Sequence, residues 1–394
     1  MTWLDCAFVL TAATFGCMAG AALWHVRWMR RLSQLDIARS HTRSASEPKP
    51  RCSIVIAVRN EEERIEQTIR RLLRQEQVEL EIIIVDDRST DRTPDILRAL
   101  ARDEPRLRVR RVDVLPEGWL GKCHACHLGA QLATSDWLLF SDGDSWATPD
   151  LILRAIKAAD REDADHVTLG FGLATATLGL KAFYLLFLLS ASNWFSGVNR
   201  DRPKSFLGIG AFNLVRASAY RESGGHEALR LTILDDVKLG LILRRAGKRT
   251  RAYVAGPDLE CQWGTTAFSV IKLMEKNYFA AIEYLTPVAF AVATFVILLL
   301  AIAVTGLFHG SVRGLLAAIS PFFLSIPAAV LAPRANVTRA AAFCAPLALP
   351  IFVSALLNST IVTLRNGGVR WRETFYPLDQ LRAHEVKAFT FRRK

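Results

Sequence analysis

Three things are scarce in this 394-residue chain: cysteines in a paired spacing, acids near its hydrophobic runs, and charge of any sign inside those runs. The seven cysteines (Cys6, Cys17, Cys52, Cys123, Cys126, Cys261 and Cys344) are odd in number and follow no framework. That argues against a disulfide-stapled secreted domain and for a reducing compartment. No internal repeat or extended low-complexity tract is present, which excludes solenoid and array architectures. No basic residue precedes the first apolar run, whose leading charge is Asp5, so this run does not read as a cleaved signal peptide.

What is present is a mixture. Hydrophobic residues make up 51% and charged residues 22%, as expected of a soluble domain joined to membrane segments. The formal net charge of +12 sits largely beside the apolar runs, which points to an anionic membrane surface or a phosphate-rich substrate and away from nucleic acid. Cys6 to Trp24 carries no charge and is long enough to span a bilayer. Seven Lys/Arg against two acids follow between His25 and Arg51. The expectation is an anchor over residues 1–27 and a basic cytoplasmic linker over 28–52, in the inner membrane of the cell with the downstream side inside.

Residues 53–260 read as one α/β domain. Ser53–Val58, Glu81–Val85, Leu107–Val112 and Trp137–Phe140 are strand-like, and the first two are apolar throughout, as buried parallel strands are. Glu61–Arg74, Asp91–Ala101 and Cys123–Ala133 read as the helices between them. Strands alternating with helices predict right-handed crossovers and an open, mostly parallel sheet with helices on both faces. Ligands of such sheets lie beyond the carboxyl ends of the strands, where Asp86/Asp87 and Asp142/Asp144 fall.

Residues 261–285 read as an amphipathic interfacial segment, with Trp263, Lys272 and Lys276. Within 286–364, three runs (Thr286–Phe308, Leu315–Ala332 and Ala340–Leu364) are uncharged, and Pro346 and Pro350 interrupt the last. The tail 365–394 has eight Lys/Arg against three acids. Three full spans would leave this basic tail outside, against the positive-inside tendency, so two spans and one re-entrant or interfacial run are expected. Residues 182–198 tempt a further span. A crossing there would separate Asp142 from Asp236, so a surface or core helix is expected instead.

The chemistry sits in three pairs of aspartates. Asp142-Gly143-Asp144 places two carboxylates on one tight turn after a strand, suited to Mg²⁺ or Mn²⁺, with glycine permitting close backbone approach. Such a cation would stabilise a departing diphosphate without proton transfer. Asp86-Asp87, after another strand, could bind a base edge, a ribose hydroxyl or the metal, and Asp91 or Thr90 could cap the next helix. Asp235-Asp236 opens a helix, where an acidic pair is favoured by the dipole alone. It also suits a general base, because neighbouring acids raise a carboxylate's pKa. Cys123-His124-Ala125-Cys126-His127 has the literal form of a haem-attachment string, but it opens a helix in the expected cytoplasmic domain. No haem is expected there, and no zinc without a second ligand pair. His226, after Gly224-Gly225, reads as turn structure.

Together these runs resemble the family 2 glycosyltransferases with a GT-A fold. The match runs from Ile54-Val55-Ile56-Ala57-Val58-Arg59-Asn60-Glu61-Glu62 through Ile84-Val85-Asp86-Asp87-Arg88-Ser89-Thr90-Asp91, Gly118-Trp119-Leu120-Gly121-Lys122 and Asp142-Gly143-Asp144. It continues in Gly224-Gly225-His226 and Leu234-Asp235-Asp236-Val237-Lys238-Leu239-Gly240. Trp371-Arg372-Glu373-Thr374 and Tyr376-Pro377-Leu378 resemble the tail of membrane-bound members that glycosylate hopanoid, carotenoid or sphingolipid-like acceptors. The resemblance implies that Ala57, Arg59, Glu61, Asp86 and Asp87 line the nucleotide side, with Lys122 beside the diphosphate. It implies that Asp144 holds the metal, that Asp142 supports both metal and nucleotide-sugar, and that Asp236 is the base, paired with Asp235. Gly210, Asn213 and Trp263 would belong to the acceptor side. The Q-x-x-R-W motif of processive members is absent; Gln262-Trp263-Gly264-Thr265-Thr266 stands where it would be expected.

The sequence therefore leads to an expectation of inverting, metal-dependent transfer from a nucleotide-sugar such as a UDP-hexose to a membrane lipid. The alternatives are a polyprenyl-phosphate glycosyltransferase or exopolysaccharide synthase of the same fold, and, from another class, a non-catalytic membrane scaffold.

Overall fold

The four expected strands all form, two of them longer than their apolar runs: β1 (Arg51–Val58), β2 (Glu79–Asp87), β3 (Leu107–Val112) and β4 (Trp137–Phe140). With β5 (Ser145–Ala147), β6 (His166–Leu173), β7 (Asn213–Arg216) and β8 (Thr250–Cys261) they build one sheet in the order β3-β2-β1-β4-β7-β6-β8-β5. The first four of that order are parallel, whereas β7 runs antiparallel to β4 and β6, and β5 antiparallel to β8. The chain winds outward from β1 to β3 and then returns to β4 on the other side of β1. The gap between β1 and β4 is thus a topological switch point, where such sheets bind ligands.

The computed structural model describes residues 2–34 and 48–388; residues 35–47 of the expected linker and 389–394 of the basic tail lie outside the described residues. Two compact units emerge. The sheet unit comprises Arg30–Gly172, Gly197–Gln262 and the segment from His384, and the helical unit comprises the N-terminal stretch to Met29, Leu173–Ser196 and Trp263–Ala383.

In the sheet unit, side-chain alternation explains the apolar runs. Ile54, Ile56, Ile82 and Ile84 face one core with Ile65, Ile69, Leu97, Ile152 and Ile156. Val55, Leu138 and Phe140 face the other with Leu239, Ile242 and Leu243, while Ile83 and Val85 pack there beside Ala125. Both faces are covered by helices, so the central stretches Ile54–Val58 and Ile82–Val85 are apolar throughout, and the one buried polar residue ahead of them in β1, Ser53, bonds the Glu81 carboxylate at 2.5 Å. The first helix is Ile65–Leu72, starting four residues later than Glu61. Asn60 has φ 54°, and the amides of Glu61 and Glu62 are taken by Thr93 Oγ1 at 2.8 Å and Asp91 Oδ2 at 3.2 Å. The second helix is Thr93–Asp103; its N-cap is Arg92, which makes no side-chain cap, while Asp91, one residue earlier, accepts from the Thr93 amide through Oδ1 at 3.0 Å.

Among the described residues, five helical stretches are long and apolar enough to cross a membrane: Trp3–Val26, Leu178–Asn199 (which ends in the sheet unit), Thr286–Phe308, Val312–Leu331 and Arg339–Asn366. Trp3–Val26 opens on a capping box between Thr2 and Asp5. Asp5 pairs with Arg313 at 3.3 Å, and the Arg334 guanidinium donates to the Val26 carbonyl, and to that of Met29 at 3.2 Å. Residues 313–334 therefore run alongside Trp3–Val26 in the same direction and over its full length, despite the 3₁₀ turn Ser320–Leu324 at Pro321. Thr286–Phe308 runs the opposite way, since His309 meets Phe8. The last run doubles back. Arg339–Cys344 packs on Ser325–Leu331, the 3₁₀ turn Ala345–Ala348 at Pro346 packs on Ser320–Leu324, and Leu349–Asn366 then returns. Its Ser359 accepts from the Phe279 amide at 2.9 Å and donates to the Glu275 carbonyl at 2.6 Å, just ahead of Thr286–Phe308. Strands β9 (Gly368–Trp371) and β10 (Thr374–Pro377) form a hairpin, after which Arg382 donates to the Tyr284 carbonyl at 3.0 Å.

Leu178–Asn199 joins β6 and β7, which pair with each other in the sheet. Phe183, Tyr184, Leu185 and Phe195 are fully buried in it, and Trp263 packs on the rings of Phe183, Tyr184 and Phe187. By contrast, Phe295, Leu298, Leu307 and Phe308 of Thr286–Phe308 are exposed, an outward surface suited to lipid.

Candidate active site

The carboxyl ends of β2, β1 and β4 bring the first two aspartate pairs to one edge. Asp86 and Asp87 end β2. Asp86 is almost fully buried, with Oδ1 accepting from the Ser89 amide at 3.0 Å and Oδ2 from Arg111 at 3.0 Å. Both its oxygens are thus committed to the turn. A buried carboxylate bonded in this way stabilises the loop, and its assignment to the nucleotide side stays a proposal. Asp87 is held differently. Arg88 grips both of its oxygens, at 2.8 and 3.1 Å, and Arg59 lies 4.0 Å away.

Asp87 lies against Gly121, the first residue of the helix Gly121–Leu132. A Cβ at Gly121 would fall 2.0 Å from Asp87 Oδ2, so only glycine fits there. The preceding loop is pinned by the Leu120 amide donating to the Arg230 carbonyl at 2.7 Å. The next side chain, Lys122, reaches across to donate to Asp142 Oδ1 at 2.8 Å and comes within 3.7 Å of Asp235. Burial works against the Lys122 ammonium, but Asp142, Asp235 and Asp236 outweigh it and hold its pKa well above the usual lysine value.

The second and third pairs meet through one residue. The Asp142 amide donates to the Gly210 carbonyl at 3.1 Å, and the Gly210 amide donates to Asp236 Oδ2 at 2.7 Å. A Cβ at Gly210 would lie 2.6 Å from Asp142 Oδ2 and 3.2 Å from Asp236 Oδ2. The Asp236 carboxyl is pushed up to about 6, first by burial and then by Asp235, with Lys122 opposing. Asp144 is also pushed up to about 6, by burial and by Asp142 and Glu61. Among the described residues no ion pair reaches Asp144. Two carboxylates of like charge on one turn, the second of them outside any such ion pair, form a donor set that fits a hard divalent ion.

Asn213 sits beneath this loop rather than on its open side. It is buried in β7, where its Oδ1 accepts from the Ile209 amide at 3.2 Å and meets His166 Nε2 at 3.1 Å. Burial drives His166 down to about 4 and keeps it neutral. Asn213 therefore shapes the 208–210 turn, which corrects its reading as an acceptor-facing residue. Trp263 belongs to the helical unit, in the aromatic cluster described above. Ala57 is partly buried in β1 and packs toward Ile83, Val85 and Leu138.

One link escaped the sequence. His226 is buried, its Nδ1 2.9 Å from Tyr220 Oη and its Nε2 3.6 Å from Asp235 Oδ2. The two preceding glycines have φ 84° and 51°, a turn that swings the ring under Asp235. Cys126, His226 and Asp235 place ligand-type atoms within 4.8 Å of one another. Burial pushes the Cys126 thiol far above its usual range, so without a metal beside it the thiol is protonated. Cys123, buried beside it, is pushed up in the same way.

Residues 53–224 match the family model described as glycosyl transferase family 2. The 4,4'-diaponeurosporenoate glycosyltransferase of Staphylococcus haemolyticus is 28% identical over 199 residues, covering 49% of this chain and 51% of that protein. The Staphylococcus aureus (strain USA300) protein of the same name is 27% identical over 197 residues, covering 48% and 50%. The chain thus spans about half the length of the curated relatives it matches. Among solved structures, the mannosyltransferase PcManGT from Pyrobaculum calidifontis, in complex with GDP-Man and Mn²⁺, is similar with a TM-score of 0.51 at 17% identity, over 90% of this chain and 98% of that one. The fold of the sheet unit is GT-A.

Proposed function

Since residues 53–224 match the glycosyl transferase family 2 model, we propose that this chain transfers a sugar, with inversion, from a nucleoside-diphosphate sugar to a hydroxyl of a membrane lipid. The observation that carries the reading is the Gly210 peptide, which bonds the Asp142 backbone on one side and the Asp236 carboxylate on the other. On this reading it joins the diphosphate side to the base for the acceptor, the two halves that a single displacement requires.

Asp87, braced by Arg88 and Arg59 above a helix N-terminus, is suited to the ribose or base of the donor. Glu61 lies with Arg59 on the loop that follows β1. Asp142 and Asp144 would hold a divalent cation, which when bound neutralises charge on the departing diphosphate. Lys122 supplies a point charge at the same place. Asp236 takes the proton of the acceptor hydroxyl, whose oxygen attacks the anomeric carbon as the nucleoside diphosphate leaves from the opposite face. A carboxylate with a pKa near 6 is a stronger base than an ordinary aspartate and is still ionised at pH 7. The Mn²⁺ and GDP-Man held by the similar mannosyltransferase support a cation and a sugar nucleotide as a class. The name of the staphylococcal relatives supports a lipid-type acceptor. A UDP-hexose is our choice of donor.

We further propose that the chain is a multi-pass membrane protein with the sheet unit on the cytoplasmic side. Leu178–Asn199 connects paired strands and so cannot be a single crossing. The chain leaves the sheet unit after Gln262 and returns to it at His384, which requires an even number of crossings between them. Two full-length runs and one that doubles back meet that requirement and keep the basic tail inside.

The test is to incubate membranes with labelled UDP- and GDP-hexoses and extracted lipids. Wild type should label a lipid, and Asp236→Asn should reduce the rate on the order of 100-fold or more. Equal labelling by the two removes Asp236 as the base, and activity that survives full chelation removes the cation. No labelling with any donor favours a membrane scaffold.

A further inference from the structure

The helix that opens on Asp235 and Asp236 is held at its far side by the other end of the chain. Lys238, two residues after Asp236, pairs with Glu385 at 2.9 Å, and the two side chains are 4% and 3% exposed. Lys238 Nζ also donates to the Val386 carbonyl at 2.6 Å, and Arg245, the last residue of the helix, donates to the Lys387 carbonyl at 2.5 Å. Val386 packs against the core formed by Leu239, Ile242 and Leu243. All of these contacts lie within the sheet unit.

A buried ion pair is a poor way to gain stability, because withdrawing two charges from water offsets most of their attraction, and an apolar pair of similar size often does as well. What an ion pair fixes is direction and distance. The helix Asp235–Arg245 is then located at three points: the Gly210 amide on Asp236, the Glu385 carboxylate on Lys238, and the Lys387 carbonyl on Arg245. Without the last two, the later turns of the helix would lose their polar tethers, leaving its placement to the Gly210 loop, to Lys122 and His226 beside Asp235, and to the apolar core.

We propose that residues 384–388 are a positioning strap for the base, with Glu385 and Lys238 as positioning residues that set the placement of Asp236. This rests on the reading of Asp236 as the general base. Misplacing a reacting group by about 1 Å can cost up to about 100-fold in rate. Loss of one strap contact should therefore appear in kcat, while donor binding on the far side of Gly210 is retained.

The experiment uses the full-length protein in membranes, with Asp236→Asn, Glu385→Gln, Glu385→Asp and the exchanged pair Lys238→Glu/Glu385→Lys. Each is assayed with the sugar donor that wild type uses, and UDP binding is measured in the presence of Mn²⁺. Asp236→Asn should be inactive, and activity in it defeats the base reading whatever the strap does. Given that inactivity, the strap predicts for Glu385→Gln a fall in kcat of about tenfold or more, UDP affinity and donor KM within about twofold of wild type, and partial recovery in the exchanged pair. A Glu385→Gln protein that folds, binds UDP and turns over at the wild-type kcat overturns the strap. If Glu385→Gln does not accumulate, Glu385→Asp keeps the charge and shortens its reach. A reduced kcat there supports the strap, and a wild-type kcat overturns it.

Discussion

Lys122 Nζ lies 2.8 Å from Asp142 Oδ1 and 3.7 Å from Asp235 Oδ1, one ammonium bridging two of the three aspartate pairs. It is the main cation opposing the build-up of negative charge around Asp236.

Replacing it therefore has a defined effect on pH dependence. In Lys122→Met the opposing charge is gone, so the Asp236 carboxyl should rise above about 6 and the acid limb of the kcat profile should move to higher pH. The donor KM should rise at the same time, because the diphosphate loses a point charge. A pH–rate series on wild type and variant checks both, and an unmoved limb would count against Lys122 as the group that tunes Asp236.

Asp236 itself carries opposite consequences for rate and stability. A base must be ionised, so activity should be full well above pH 6 and fall as pH drops through about 6. For stability the sign reverses. The folded pKa lies above the ordinary value of 3.8, so ionisation is costly in the folded state. That cost is fully present above about 6 and vanishes below the ordinary value. Asp236→Asn should be inactive at pH 7.5 and more stable than wild type by on the order of 1–2 kcal/mol, read from thermal or denaturant midpoints.

Gly210 offers a substitution that adds only a methyl group. A Cβ there would fall 2.6 Å from Asp142 Oδ2 and 3.2 Å from Asp236 Oδ2, so both carboxylates must shift. Gly210→Ala should fold, because the residue is only partly buried. It should lose on the order of 100-fold in kcat. Wild-type turnover in Gly210→Ala would mean that the two carboxylates do not act in one geometry.

The course of the last apolar run can be checked without enzymology. A cytoplasm-dependent fluorescent reporter fused after Lys394 should be bright and a periplasm-dependent phosphatase there inactive. The same reporters inserted in the turn between Phe308 and Val312 should give the reverse. A C-terminal fusion active only outside would mean an odd number of crossings.

Much of the sheet and of the aspartate arrangement was legible in the sequence because it is local. Ile82, Ile83 and Ile84 are adjacent, and a run apolar on both faces has few homes other than a covered parallel strand. Asp142 and Asp144 follow such a run directly. The bonding of Asp86 was not legible because Arg111, which donates to it, lies 25 residues away on another strand. Asn213 was misread because its partner, His166, lies 47 residues away. Lys238 and Glu385 are 147 residues apart, and nothing near either one indicates the other. The doubling back of the last run was half legible: hydropathy has no direction, and Pro346 marked the break without saying where the chain went next.

The Gly210 peptide has one more consequence, for how such an enzyme can change. Its carbonyl accepts from the Asp142 amide, on the proposed donor side, and its amide donates to Asp236, the proposed base. A variant that widens the acceptor side by moving this turn also moves Asp142, and one that recruits a different sugar by moving Asp142 disturbs Asp236. The two specificities are therefore inherited together. Attempts to exchange acceptors between relatives should transplant residues 208–210 with the aspartates on either side as one block, since the turn alone would carry half of a coupled device.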